Sequence, residues 1–440
     1  QDKSLVFQRG KLRGMVVMCV TKPGERRVLL SLAYTPGVAA PCQEISATPE
    51  AVWEYTAKGN MVGVVSDGTA VLGLGNIGPE AGIPVMEGKA VLFKRFADVD
   101  GFPVCLSHVH DEDGRTIAEK VIEYTAALEP CLGGINLEDI AAPACFEIER
   151  RLKEGMGIPV FHDDQHGTAI ISLAGVLNAL ELVEKRLEDA RIVVNGAGAA
   201  GIACSEFYIS AGARRENVMV CDSRGVIYRG RQERMTPQKE RLAVETSART
   251  LAEALEGADV FLGLSKGECV SEEMVSRMAP RAVIFAMANP IPEIFPDRAK
   301  NAGAEIVGTG RTDFPNQVNN VLGFPGIFRG ALDVRARDIN EAMKIAASEA
   351  LAEVVREAVP GEVKRFLSSA YPEDAKNGMF EGEAPLKPDY VIPKPFDPRV
   401  VPRVARGVAE AAMVTGVSRV DVGDLDSYEQ AVAERLAPLG

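Results

Sequence analysis

The most constraining feature of the chain is a glycine-rich corner, Gly196-Ala197-Gly198-Ala199-Ala200-Gly201. It follows the apolar run Ile192-Val193-Val194-Asn195 and precedes a helix-forming stretch. A G-x-G-x-x-G corner between strand and helix suits a dinucleotide. Gly196 permits the tight turn, Gly198 lets backbone amides approach a pyrophosphate, and Gly201 lets helix and strand pack closely. The phosphates would sit on the helix N-terminus, where unpaired N–H groups and the dipole attract anions. A second strand, Val218-Met219-Val220-Cys221-Asp222, ends in an acid 21 residues after Gly201, near the offset of about 20 expected of a ribose-binding carboxylate. Asp222 as that acceptor favours NAD over NADP, whereas Arg224 and Arg229 close behind it could instead meet a 2′-phosphate. A Gly/Ala-rich turn with no nucleotide is the plain alternative.

Further apolar runs at 260–264, 282–286 and 305–308, separated by helical stretches at 249–257 and 271–278, predict a parallel sheet covered on both faces. Before it, runs at 61–65, 71–74 and 90–93 read as buried strands broken by turns. Stretches 115–129 and 145–154 read as amphipathic helices, and 157–161 as a strand that ends in a turn bearing His162 to His166. A core-facing helix is expected over about 168–182 and a long one over about 331–355. Seven prolines from Pro372 to Pro402 predict an extended connection before one or two closing helices. The opening 30 residues are poorly periodic.

Composition narrows the function classes. A net charge of −13 argues against a nucleic-acid partner, which would want a basic face. The longest charge-free runs, 28–43 and 165–180, fall short of the roughly 20 apolar residues of a membrane span. Eight cysteines without a CxxC pair suggest a reduced cytoplasmic protein with mostly buried thiols. No apolar signal segment opens the chain, which starts at Gln1.

Four acids stand out: Glu138 and Asp139 in one segment, Asp163 and Asp164 in another. Adjacent acids at a strand end repel unless a cation is present, and all-oxygen ligands suit Mg2+ or Mn2+ rather than zinc. The plain alternative is two ordinary surface pairs capping helices. His162 and His166 have the spacing of a zinc protease, but Asp163 stands where that motif has Glu, and the pair is expected on a turn. A zinc hydrolase is therefore a poor fit.

These residues lie within segments that resemble the short bacterial and archaeal type of malic enzyme. The segments are Tyr34 to Ala39, Val71 to Gly78, Val85 to Ala90, Gly134 to Asp139, Phe161 to Thr168, Ala288 to Pro290 and Asn316 to Asn320. The likeness runs from about Leu32 to about Ala346; the extension that some bacterial relatives carry has no match in this sequence. The resemblance implies oxidative decarboxylation of malate to pyruvate and CO2 with NAD(P)+ and a divalent cation, decarboxylation of oxaloacetate, and a homodimer. It implies that Glu138, Asp139 and Asp164 hold the metal and that Lys89 and Tyr34 form the acid–base pair. Asp163 would support Lys89, while Asn289 and Asn320 hold substrate, with Asn289 also beside the cofactor. Lys89 is expected to be neutral, its pKa depressed by burial and metal charge. One departure is that Asp67-Gly68 is followed by Thr69-Ala70, where larger family members carry an Arg for a substrate carboxylate.

The expected architecture is an N-terminal α/β substrate domain (1–162), a Rossmann-like NAD(P)-binding domain (163–371), and a Pro-rich connection with closing helices (372–440). The competing readings are an NAD-dependent dehydrogenase that does not decarboxylate, needing no metal site, and a catalytically inert NAD-binding module. Without the resemblance, Lys89 and Tyr34 would read as an ordinary surface lysine and a packing residue.

Overall fold

The computed structural model describes residues 15–16, 31–71 and 74–437. The opening 30 residues, apart from Met15 and Val16, and Leu72 and Gly73 lie outside them. Two parallel sheets organise the chain. The first contains β1 (Met61–Ser66), β2 (Asp100–Cys105), β3 (Gly134–Leu137) and β4 (Val160–His162) in the order β2-β1-β3-β4. The second contains β5 (Ile192–Asn195), β6 (Val218–Asp222), β7 (Gly225–Val226), β8 (Val260–Gly263), β9 (Ala282–Ala286) and β10 (Ala304–Thr309). Its order is β10-β9-β8-β5-β6-β7, antiparallel at β6–β7 alone. The strand order reverses at β5, which places the crevice of a doubly wound sheet beside the Gly196 corner.

Helices cover both sheets. Those used below are α1 (Ala39–Ala47), α2 (Pro79–Ala97), α3 (Ala144–Gly155), α4 (Asp163–Leu182), α5 (Ala199–Ser210), α6 (Pro237–Leu242), α7 (Phe324–Asp333), α8 (Glu341–Val354), α9 (Val400–Val414) and α10 (Leu425–Leu436). Helix α4 joins the sheets and is buried on every side, with Ile170, Ile171, Leu173, Val176 and Leu180 all in the core. An aromatic cluster ties α2 to α7: Phe93 meets Phe324 edge-on at 4.7 Å and Phe328 at 5.2 Å, contacts each adding about 1 kcal/mol beyond burial.

Several local expectations are corrected. Residues 90–93 are helical, because Met86, Ala90, Phe93 and Ala97 recur at the helical period and line the buried face of α2. Of the 71–74 run, the described residues form no strand: Val71 makes an isolated bridge to Gly75 and Leu74 is 70% exposed, while Leu72 and Gly73 lie outside the described residues. The segment from His162 to His166 is a strand end and first helical turn, since acids at an N-terminus favour the dipole. The long helix breaks into α7 and α8, where Asn340 caps the second by accepting from the Met343 amide. Of the seven prolines, Pro372 opens a short helix (Pro372–Lys376) and Pro402 lies in the first turn of α9; α9 and α10 are the last two helices of the described residues. Of the described cysteines, three (145, 204, 221) are buried, while Cys42 and Cys131 are exposed, so burial of thiols is only partial. Among the described residues no helix is long and apolar enough to cross a membrane.

Candidate active site

Parallel strands deliver four acids to one place. Glu138 and Asp139 follow β3; Asp163 and Asp164 follow β4 and open α4. Glu138, Asp139 and Asp164 each present an oxygen within 4.8 Å of the others. Asp139 sits at φ 55°, a left-handed backbone costing roughly 1–3 kcal/mol in a non-glycine residue. Its amide donates to Asp164 Oδ2 at 2.7 Å and its carbonyl accepts from the Ala70 amide at 2.9 Å, which hold the turn. Asn136 Nδ2 donates to Glu138 Oε2 at 2.8 Å.

Carboxylates this close repel by on the order of 3 kcal/mol per pair at an effective dielectric of about 20. Burial pushes the Glu138 carboxyl well above its ordinary value; the neighbouring acids add to that push, and Lys89 opposes it. The Lys89 ammonium lies 2.6 Å from Asp163 Oδ2 and 2.9 Å from Glu138 Oε1, with the Phe324 ring 4.3 Å away. Burial favours a neutral amine, but Asp163 and Glu138 outweigh it and raise Lys89 above the ordinary lysine value. The neutral Lys89 expected from the sequence presupposes a cation on these acids; with the acids alone around it, the ammonium form is favoured. One lysine cannot balance four acids, and an oxygen-only donor set of this spacing fits a hard divalent cation.

Asn320 joins the cluster by donating from Nδ2 to Asp163 Oδ2 at 3.1 Å, and its Oδ1 accepts from Thr168 Oγ1 at 3.2 Å. Gly167 leaves room for this pair: a Cβ there would lie 2.4 Å from Asp163 Oδ1 and 2.7 Å from Asn320 Cγ. Among the described residues no hydrogen bond joins Tyr34 to the cluster. Its side chain is 68% exposed, on a segment whose following helix, α1, buries no residue. Asn289 is exposed on the loop after β9, against Gly310. In place of the absent Arg, Asp67 is buried and bound by Thr69 and Thr116, both through hydroxyls. His162 and His166 do not converge on a metal; the acid trio is the one cluster of its kind among the described residues.

The glycine corner has the geometry of a phosphate cradle. A Cβ on Gly196 (φ 130°) would meet Leu264 O at 2.2 Å, and one on Gly201 would meet Gly196 O at 1.9 Å. Gly198, in contrast, has nothing within 4 Å and faces open space, with Ala199 and Ala200 opening α5 beyond it. Asp222 is not free to accept ribose hydroxyls. Arg231 donates to both its oxygens at 2.8 Å, the Arg224 amide to Oδ1 at 2.8 Å, and Lys239 of α6 to Oδ2 at 2.7 Å. Those bonds fill the roughly four acceptor positions of a carboxylate. Burial opposes its charge, yet Lys239, the Arg224 amide and Arg231 hold it below the ordinary aspartate value. Sequence reasoning missed Arg231, Lys239, Asn136 and Phe324. Only Asn136 lay inside a recognisable segment; the others arrive from elements whose packing no local pattern announces.

Comparison with known proteins is decisive. Residues 14–153 match the profile described as malic enzyme, N-terminal domain, and residues 165–368 that of malic enzyme, NAD binding domain. A bifunctional malic/malolactic enzyme of Bacillus subtilis is 54% identical over 397 residues, 89% of this chain and 88% of that protein. The chain belongs to the malic enzyme family. An NADP-dependent malic enzyme of Rhizobium meliloti is 53% identical over 440 residues, 100% of this chain but 55% of that protein. The chain thus spans about half the length of several of its curated malic enzyme relatives. In three dimensions it resembles the malic enzyme from Pyrococcus horikoshii, with a TM-score of 0.87, 43% identity, and 99% and 95% of the two chains covered.

Proposed function

We propose that this malic enzyme oxidises malate to pyruvate and CO2, with a Mg2+ or Mn2+ ion on Glu138, Asp139 and Asp164, and that it also decarboxylates oxaloacetate. The observation that carries the reading is Lys89 held between Asp163 and Glu138 beside that acid trio. Bound there, a divalent cation supplies Lewis acidity toward the substrate hydroxyl and the charge that develops as CO2 leaves. The nicotinamide supplies the acceptor for the C2 hydride.

Lys89 takes the proton of the C2 hydroxyl. With the surrounding acids compensated by a cation, the pull that keeps Lys89 protonated is cancelled and its burial favours the neutral base. Asp163 orients Nζ and, with Phe324, keeps it in line. Asn320 and Asn289 hold the substrate carboxylates. Tyr34 protonates C3 of enolpyruvate and Lys89 returns a proton to it; separate groups are needed because the transfers occur at different atoms. Tyr34→Phe should spare oxaloacetate decarboxylation and slow release of pyruvate from malate, followed by coupled pyruvate and nucleotide assays. Wild-type pyruvate formation in that variant would remove Tyr34 from the mechanism.

For the cofactor the structure favours NADP over the NAD preference that Asp222 alone suggests. The filled Asp222 and the cations paired with it, Arg231 and Lys239, favour a 2′-phosphate over a 2′-hydroxyl. The proposed units are 1–162, 163–371 and 372–440. We also propose a homodimer, which would cover the exposed apolar residues Leu32 and Tyr34 next to α1, and a cytoplasmic setting that keeps the thiols reduced. Malate with Mn2+ and each cofactor, following pyruvate and reduced nucleotide together, tests the whole reading: equal yields of both are expected. Reduced nucleotide without pyruvate would point to a simple dehydrogenase.

A further inference from the structure

Helix α4 must present Asp163 and Asp164 from its first turn, where helices fray and backbone amides lack partners. Its N-cap residue, His162, makes no side-chain cap. The support comes from elsewhere. Glu149 of α3 is buried, and its Oε1 accepts from the His162 amide at 3.2 Å. Both Glu149 oxygens also receive His166 Nε2, at 2.8 and 2.9 Å. On the opposite edge of the His166 ring, Lys344 Nζ of α8 stands 3.2 Å from Nδ1. An ammonium is a donor only, so Nδ1 accepts and Nε2 carries the hydrogen; the network assigns the tautomer. Phe161 packs against the ring at 5.5 Å, and Lys344 lies 5.8 Å from the Phe207 ring of α5.

This chain of groups crosses from a helix of the first sheet's domain to two helices of the second, along the wall of a cleft of about 1510 Å3 that holds none of the four acids. Burying three ionisable side chains costs several kcal/mol, and well-packed apolar residues would often stabilise the fold as well or better. A demand other than stability is therefore indicated. Resting on the metal reading above, we propose that Glu149, His166 and Lys344 are positioning residues. They fix the first turn of α4, acting as a cap supplied from another helix, so that Asp164 stays directed at Glu138 and Asp139.

The test is Mn2+ binding to the full chain without substrate or cofactor, read by electron paramagnetic resonance, with melting temperature as a check on folding. His166→Leu should weaken Mn2+ about 10- to 100-fold, the usual cost of removing an outer partner of a metal ligand. His166→Gln, which keeps a donor toward Glu149, should recover most of that loss. Should His166→Leu fail to fold, Lys344→Met is the second variant, expected to weaken Mn2+ severalfold. Wild-type Mn2+ affinity in a folded His166→Leu or Lys344→Met chain overturns the positioning role alone. A wild-type chain that binds no Mn2+ overturns the metal reading and this role with it.

Discussion

The two sheets end in opposite electrostatic situations. Beyond β3 and β4, four acids share one lysine; beyond β6, one acid is shared by Arg231 and Lys239. The first place lacks positive charge, and the second carries more positive than negative charge. In each, the imbalance matches the sign of the proposed ligand: a cation at the acid trio, an anionic phosphate near Asp222. The difference also teaches that an acid at a strand end has no fixed meaning. Asp222 ends one parallel strand and Asp164 follows another, and only their neighbours separate a proposed metal ligand from a neutralised anchor.

The comparison can be broken at several depths. The largest effect is expected at Lys89: Lys89→Ala should cut malate turnover by about 1,000-fold, within the range for a general base, while NADP+ binding by calorimetry is unchanged. Retained turnover would leave the acid-rich site without its base. Asp164→Asn should abolish Mn2+ binding at micromolar concentrations, and EDTA should abolish activity reversibly; an EDTA-resistant chain would erase the contrast between the sites. At the other sheet, Lys239→Ala should weaken NADP+ about tenfold, roughly 1.4 kcal/mol, and leave NAD+ unchanged. Equal losses for both cofactors would show that the cations there do not read the 2′-phosphate.

A smaller effect concerns acid stability. Because the Asp222 carboxyl is held below its ordinary value of 3.8, its contribution is complete above that pH and fades as pH falls through the lower folded value. Asp222→Asn should therefore flatten the loss of stability between about pH 5 and pH 2 in urea melts, relative to wild type. The smallest effect is chemical. Cys145 beneath the acid trio and Cys221 beneath Asp222 are both pushed up to about 12, chiefly by burial, so alkylation at pH 8 should label Cys42 and Cys131 first. Early labelling of Cys221 alone would mark the second site as the looser one.

Much of this was legible in the sequence, and the failures have a common cause. The glycine corner and the strands on either side of it were readable because turn chemistry and apolar runs are local. Glu138, Asp139, Asp163 and Asp164 were readable as types, but their convergence depends on β3 pairing with β4, which no local pattern encodes. Residues 90–93 misled because a four-residue window cannot separate strand from helix; Met86 and Ala97 had to be included. The ion pairs of Lys89 and the saturation of Asp222 were out of reach altogether. Both are set by partners 49 to 74 residues away or by an arginine whose role depends on how the β7 turn folds.

The spare room at Gly198 has a practical side. Its neighbours Gly196 and Gly201 are packed so tightly that an added methyl would strike backbone, whereas at Gly198 it would meet nothing. The backbone there is extended, a shape alanine adopts freely. Gly198→Ala should accordingly yield an intact, correctly folded scaffold with its proposed nucleotide doorway narrowed, a ready-made blank against which every cofactor titration of this protein can be calibrated.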